Sequence, residues 1–316
     1  MQKKEFRKYL ENKELSIVTI TNYIHLVERF FSIIKKETIQ ITKPDILAYL
    51  EYLKNNRIQQ NKTRSIHLTA INHYFTFLYK NEQIKENPCS LLKIRGTKRK
   101  TLYNIYTPEE LDVLCDNYYE LFVRSFDDKH YKTNKQRKQS ALSRERNAAI
   151  LSILTNQGVI TSEISKIEIE DLDLRKATIK IRSAKNHNER TIPLKASQIG
   201  ILMYYLQNTR PQILELQATD TNKLFLTIPH ISPKITLKDT FKKTCDNLTK
   251  QIKSFDKKFL NFQQVRASII TFWLKTQGLR KAQYLAGHKH VTSTEEYLPN
   301  NLENLTEDIN KLHPFL

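Results

Sequence analysis

The sequence predicts a mainly α-helical chain in two domains, the second carrying a small antiparallel sheet. Three observations predict it. Residues 1–92 repeat apolar side chains at helical spacing. Asn87-Pro88 and the basic run KIRGTKRK (93–100) then interrupt that pattern. Beyond the run, two short alternating segments flank a polar turn among further helical stretches. The length of 316 residues is about twice that of a typical domain.

Each element has its own signal. A short helix is expected over 2–12. Ile17, Ile20, Tyr23, Ile24, Val27, Phe30, Phe31 and Ile34 give 16–36 one apolar face. KPDILAYLEYLKNN (43–56) is a second clear helix with Pro44 in its first turn. A third, 63–80, runs its apolar face through Leu68, Ile71, Phe75 and Leu78. We place the first domain at 1–92, a basic linker at 93–106 and the second domain at 107–316. Thr107-Pro108-Glu109-Glu110 joins an N-cap Thr, a Pro at the first helical position and a Glu in capping-box position, and so opens a helix. Residues 126–143 are polar and basic and read as a mobile insertion, after which 143–157 is helical. ATIKIRS (177–183) and ERTIP (189–193) alternate about AKNHN, a hairpin signal. Helices are expected at 197–208, 237–254 and 262–276, with short ones at 291–298 and 302–312.

Composition narrows the function classes. The formal net charge is +19, of which the first 100 residues carry +11. Such a surplus points to a polyanion, with nucleic acid the default partner. The five glycines (96, 158, 200, 278 and 287) are too scattered for G-x-G-x-x-G or a P-loop. Cys89, Cys115 and Cys245 are far apart and odd in number, which fits free thiols in a reducing compartment. Nine scattered histidines with no H-E-x-x-H make no metal site expected. No run approaches 18 apolar residues and the N-terminus lacks an apolar signal core, so neither a membrane span nor a membrane partner is expected. A generic RNA-binding reading finds no RNP1 pattern and no G-x-x-G loop.

Four segments resemble the tyrosine recombinase (phage integrase) family. RNAAILSILTNQGVITSEISKIEIEDLDL (146–174) resembles its helix, tight turn and S-E-L segment. ATIKIRSAKNHNERTIPL (177–194) is similar to its β-hairpin with a Lys in the turn. NFQQVRASIITFWL (261–274) is similar to its H-x-x-R helix, and LAGHKHVTSTEEYL (285–298) to its L-G-H…T…Y segment. The resemblance implies a helical, SAM-like core-binding N-terminal domain and an α+β catalytic domain with a small antiparallel sheet. It implies site-specific recombination of duplex DNA in the bacterial cytoplasm, without a cofactor. It further implies a tetramer on paired sites, with the tail NLENLTEDINKLHPFL (301–316) exchanged between subunits.

The chemistry accounts for the residue types. Cutting DNA without a metal needs a nucleophile on phosphorus, and a Tyr oxygen leaves a 3′-phosphotyrosyl link that conserves the bond energy. The resemblance makes Tyr297 that nucleophile and Arg266 a bidentate phosphate clamp. It makes His288 a hydrogen-bond donor to a phosphate oxygen and Lys185 the proton donor to the leaving oxygen. Lys62 and Arg64, together with Lys93, Arg95, Lys98, Arg99 and Lys100 in the linker, are expected to contact DNA phosphates.

Two family positions differ. Where the family carries an Arg before S-E, this chain has Ile160. Where it carries the His of H-x-x-R, this chain has Gln263, which hydrogen-bonds but carries no proton charge. Losing one such clamp typically costs roughly 10²–10³ in rate. Either another arginine substitutes (Arg144, Arg146, Arg182 and Arg190 are the candidates), or the enzyme is slow, or catalysis is lost and the chain is a DNA-binding or architectural factor.

Overall fold

The chain divides into two units, Met1–Lys100 and Thr101–Leu316. The computed structural model describes residues 2–96, 103–126, 133–183, 187–217, 221–228 and 240–298.

Ser16 caps the helix that organises the first unit, its hydroxyl accepting from the Thr19 N–H at 3.2 Å. The helices there are α1 (Lys3–Glu11), α2 (Ile17–Ile34), α3 (Lys43–Asn55) and α4 (Asn61–Lys80). In α3 the Thr42 N–H donates to Asp45 at 2.9 Å, with Pro44 in the first turn. The apolar faces close on a core of Phe6, Ile24, Val27, Phe30, Tyr49, Ile71 and Tyr74. Edge-to-face ring pairs run through it, Phe6 with Tyr74 and Phe30 with Tyr49, both at 5.1 Å. Helix α2 is, by length and a mean hydropathy of 1.2, apolar enough to cross a membrane, the one such helix among the described residues. Thr19, Asn22, His25, Glu28 and Arg29 interrupt its apolar runs, so it holds no continuous apolar run of that length. Ile20, Ile24, Leu26, Val27 and Phe30 of α2 are buried in the core.

In the second unit Thr107 and Glu110 form the capping box of α5 (Pro108–Tyr118), with Thr107 N–H to Glu110 at 2.7 Å and Glu110 N–H to Thr107 at 3.2 Å. A π-helical turn, Tyr119–Arg124, extends it. Helix α6 (Asn134–Asn156) starts well before residue 143, so the polar stretch read as an insertion is helical from Asn134. Residues 146–155 of α6 are all buried, which makes it the central helix. The short α7 (Thr161–Ile164) follows. Strands β1 (Leu172–Asp173), β2 (Thr178–Ile181) and β3 (Arg190–Pro193) form an antiparallel sheet in that order. The register pairs Ile179 with Ile192 and Ile181 with Arg190. Alternation therefore puts Arg190 on the same buried face as the isoleucines. Helices α8 (Ala196–Tyr204), α9 (Arg210–Leu214), α10 (Thr240–Phe255), α11 (Phe262–Ala286) and α12 (Thr292–Glu295) complete the unit. Within α11 Gly278 is non-helical, at φ +77° and ψ 169°, so two helical segments meet there and the first ends close to the expected 276.

Candidate active site

Helix α11 presents Arg266 one turn after its cap, where the Asn261 side chain accepts from the Gln264 N–H at 3.0 Å. Arg266 is 2% exposed. One arm of its guanidinium donates to the carbonyl of Gly158, in the tight turn after α6. The other donates to the Ala286 carbonyl at 2.9 Å and meets His288 Nε2 at 3.0 Å. Gly158 is required there, because its φ is +55° and a Cβ would sit 3.0 Å from the Trp273 ring.

Gly287 ends α11 in the left-handed conformation at φ +72° and turns the chain so that His288 faces back toward Arg266. His288 Nδ1 lies 2.9 Å from Thr294 Oγ1, and Thr294 is fully buried. The ring of Tyr297 stacks on His288, with centroids 5.9 Å apart and planes 15° apart. Burial, followed by the positive Arg266, the neighbouring His187 and Arg190, holds the His288 pKa down at about 4, with Glu163 opposing. His288 is therefore neutral at physiological pH.

Beneath this group lies a buried ion pair. Glu163 of α7 takes both arms of Arg190, at 2.8 and 3.1 Å, with side-chain exposures of 1% and 0%. The same carboxylate accepts the Ile160 N–H at 2.9 Å and lies 3.9 Å from Arg266. Burial pushes the Glu163 carboxyl up, but Arg190, the Ile160 N–H and Arg266 together outweigh it and the pKa falls below the usual carboxylate value. The hairpin is tied to this site through its second leg. His187 pairs with His288 as an antiparallel bridge, and the Asn188 N–H donates to the Gly287 carbonyl at 2.8 Å.

The expected site residues therefore fall into groups. Arg266, His288 and Tyr297 come together, and Arg190 joins them through Glu163. Gln263 is exposed on the first turn of α11, while its neighbour Gln264 is fully buried and bonded to Asn104 and Lys258 carbonyls. Arg144 lies over the Phe126 ring at 4.3 Å. Arg146 is buried against the Leu226 carbonyl, Ser143 and Asn147. Arg182 is held by Asp171, Glu168 and Glu170. The structure brings none of these three to Arg266. Lys185 lies outside the described residues, as do Lys98, Arg99, Lys100 and the tail 301–316.

In the first unit, Lys62 is exposed at the start of α4. Arg64 is turned inward, donating to the Leu50 carbonyl at 3.3 Å and to Asn61 at 2.9 Å. Lys93 and Arg95 are exposed, and the Arg95 carbonyl accepts from Asn61 at 2.9 Å. Sequence reasoning assigned no role to Glu163, His187 or Thr294. The available signals were the capping-box spacing of Glu163 from Ile160 and the six-residue step from His288 to Thr294.

Comparison with known proteins places this architecture. The Phage integrase family model matches residues 129–304, and the model for the phage integrase N-terminal SAM-like domain matches residues 3–85. Tyrosine recombinase XerC of Natranaerobius thermophilus is 26% identical over 322 residues, covering 98% of this chain and 97% of that protein. Tyrosine recombinase XerD of Staphylococcus saprophyticus is 24% identical, covering 98% and 97%. Among solved structures, XerH recombinase bound to palindromic difH substrate in a post-cleavage complex aligns with TM-score 0.65 at 18% identity, over 95% of this chain and 81% of that one. A lambda integrase tetramer bound to a Holliday junction aligns with TM-score 0.57 at 14% identity, over 92% and 77%. These structural likenesses establish the shared fold, and the family matches establish the lineage: this chain belongs to the phage integrase family, the tyrosine recombinases.

Proposed function

We propose that this protein cuts and rejoins duplex DNA at specific sites through a covalent link to Tyr297. The observation that carries the reading is the meeting of Arg266, His288 and Tyr297 from separate segments, with Arg266 at 3.0 Å from His288 and Tyr297 stacked on it. The Tyr297 oxygen attacks phosphorus, the 5′-oxygen leaves with a proton, and a 3′-phosphotyrosyl bond keeps the energy for religation. Arg266 and His288 hold the phosphate oxygens. Lys185 supplies the leaving-group proton. Lys62, Lys93 and Arg95 contact phosphates and set register. Of the four candidate substitutes for the arginine missing at Ile160, Arg190 is the one whose partner, Glu163, also faces Arg266. Four subunits on paired sites, linked through 301–316, exchange strands in the cytoplasm. The lambda integrase tetramer on a Holliday junction lends support to that assembly.

One observation favours a second reading, a DNA-binding or architectural role with impaired chemistry. Both terminal nitrogens of Arg190 are taken by Glu163 and Ile160 carries no charge, so among the described residues beside Arg266 no second guanidinium turns its terminal nitrogens away from a carboxylate. Trapping on nicked suicide duplexes drawn from DNA flanking the gene separates the two. An SDS-resistant protein–DNA band that disappears in Tyr297→Phe supports recombination. A gel shift on the same duplex with no such band supports the architectural role.

A further inference from the structure

We propose that Thr294 is a positioning residue whose hydroxyl holds the His288 proton on Nδ1 in the free protein and reverses its own hydrogen bond when a DNA phosphate enters. This rests on the reading of Arg266 and His288 as phosphate ligands. A guanidinium has donors only. Arg266 Nη2 spends one hydrogen on the Ala286 carbonyl and faces His288 Nε2 at 3.0 Å with the other. Nε2 is therefore the acceptor, and the neutral ring carries its proton on Nδ1. That proton is donated to Thr294 Oγ1 at 2.9 Å.

This tautomer cannot donate to a phosphate oxygen from Nε2. A ring flip is opposed by the stack on Tyr297 and by the His187 ring, whose centroid lies 6.0 Å away. The proton has to change nitrogen instead. When a phosphate draws the Arg266 guanidinium away, Nε2 takes a proton from water and Nδ1 returns one to water, so the ring stays neutral. Nδ1 then presents a lone pair in a buried place. A carbonyl or carboxylate there would accept only, and would lock the proton on Nδ1. A hydroxyl rotates and donates. Thr294, with no solvent exposure and its N–H fixed to the Val291 carbonyl at 2.8 Å, holds that hydroxyl in place. The charged and titratable groups around the ring are Arg266 on α11, Arg190 on β3, Glu163 on α7, His187 and the stacked Tyr297.

The test is imidazole nitrogen NMR on the full chain labelled with 15N-histidine, with the His288 signals identified by their loss in His288→Gln. The free wild-type protein should show Nδ1 protonated and Nε2 bare, and Nε2–H in that state would overturn the proposal. In Tyr297→Phe protein bound to a duplex from the gene flank, so that no cleavage intervenes, the ring should become Nε2–H. A ring that stays Nδ1–H, or becomes doubly protonated, in that complex would also overturn it. Adding Thr294→Val should suppress the switch, and an unchanged switch would reduce Thr294 to a space-filler. In wild-type background Thr294→Val should slow covalent trapping about tenfold at unchanged duplex affinity, with Thr294→Ser restoring the rate to within about threefold. The free-protein tautomer is read without any cleavage. Loss of the Tyr297-dependent band and loss of the tautomer are therefore separate failures.

Discussion

Replacing Glu163 by Gln is the sharpest test of how the site is held. The carboxylate and Arg190 are both buried, with two bonds at 2.8 and 3.1 Å. An amide keeps the shape and removes the charge, and its NH2 then faces an Arg190 nitrogen in either orientation, with the Ile160 N–H, also a donor, on one of the two sides. Arg190 cannot shed its proton, and its remaining partner is the Asn188 carbonyl at 3.5 Å. Stranding one member of a buried pair costs about 3–5 kcal/mol. In a unit of this size that corresponds to a fall in Tm of roughly 6–20 °C. The chain's single tryptophan, Trp273, is 7% exposed in the second unit's core, so its fluorescence in a urea melt reports that unit alone.

The control is the pair Glu163→Leu with Arg190→Met, which removes both charges. Because the Coulombic gain of a buried pair is largely offset by desolvation, the double variant should be more stable than Glu163→Gln by at least about 2 kcal/mol. Neither difference should shrink in 0.5 M salt, since buried pairs are poorly screened. The sign with pH follows from the depressed Glu163 pKa. Its contribution is full above the unfolded carboxylate value and is lost as pH falls through the folded one, and Glu163→Gln removes that dependence. A Glu163→Gln protein within about 1 kcal/mol of wild type, or a double variant no better than the single, would refute the reasoning.

Two further outcomes follow from the same geometry. His288 is held at about 4 against an ordinary 6.5, so the unfolded chain binds a proton that the folded one refuses. Trp273-monitored stability should fall by up to about 3 kcal/mol as pH drops through that window, and His288→Gln should flatten the slope. Lys62→Ala should reduce the salt slope of duplex binding by about 0.9 with the Tm unchanged, whereas Arg64→Ala should lower the Tm, because Arg64 ties α4 to the Leu50 carbonyl.

What the sequence made legible was whatever rests on local rules. The Thr107–Glu110 box and Pro44 mark helix starts by backbone chemistry that a few residues settle among themselves, and both helices begin there. The sequence predicts too short an α6 because Lys135, Arg137 and Lys138 leave its first turns without apolar periodicity. The one local mark was Thr133, whose hydroxyl accepts from the Gln136 N–H at 3.2 Å. Strand β1 spans two residues, too few for alternation to register. In the site, a motif of fixed spacing located Arg266, His288 and Tyr297. The inward turn of Arg190 depends on a carboxylate 27 residues away, and its place on the buried side of β3 reads as ordinary surface charge until that partner is known. Thr294 matters only because Gly287 folds the chain back, which no periodicity encodes.

The departures at Ile160 and Gln263 bear on charge more than on position. With His288 neutral, Arg266 and Arg190 are offset by Glu163, and these four residues sum to a single positive charge. That charge matches a phosphodiester monoanion in the ground state. For the proposed reaction it would fall one short of the dianionic phosphorane that a tyrosinate attack forms, so the deficit would be felt in the transition state and not in binding. Ile160→Arg should therefore raise the rate of covalent trapping by about 10²–10³. Duplex affinity should change only a few-fold, because it is spread over many phosphates and lysines. The Ile160 N–H already bonds Glu163 through the backbone, so the substitution keeps that contact. A rise in affinity with no rise in rate would show that position, not charge, limits this site. Equal rates and equal affinities would show that the missing charge is already supplied from outside these residues.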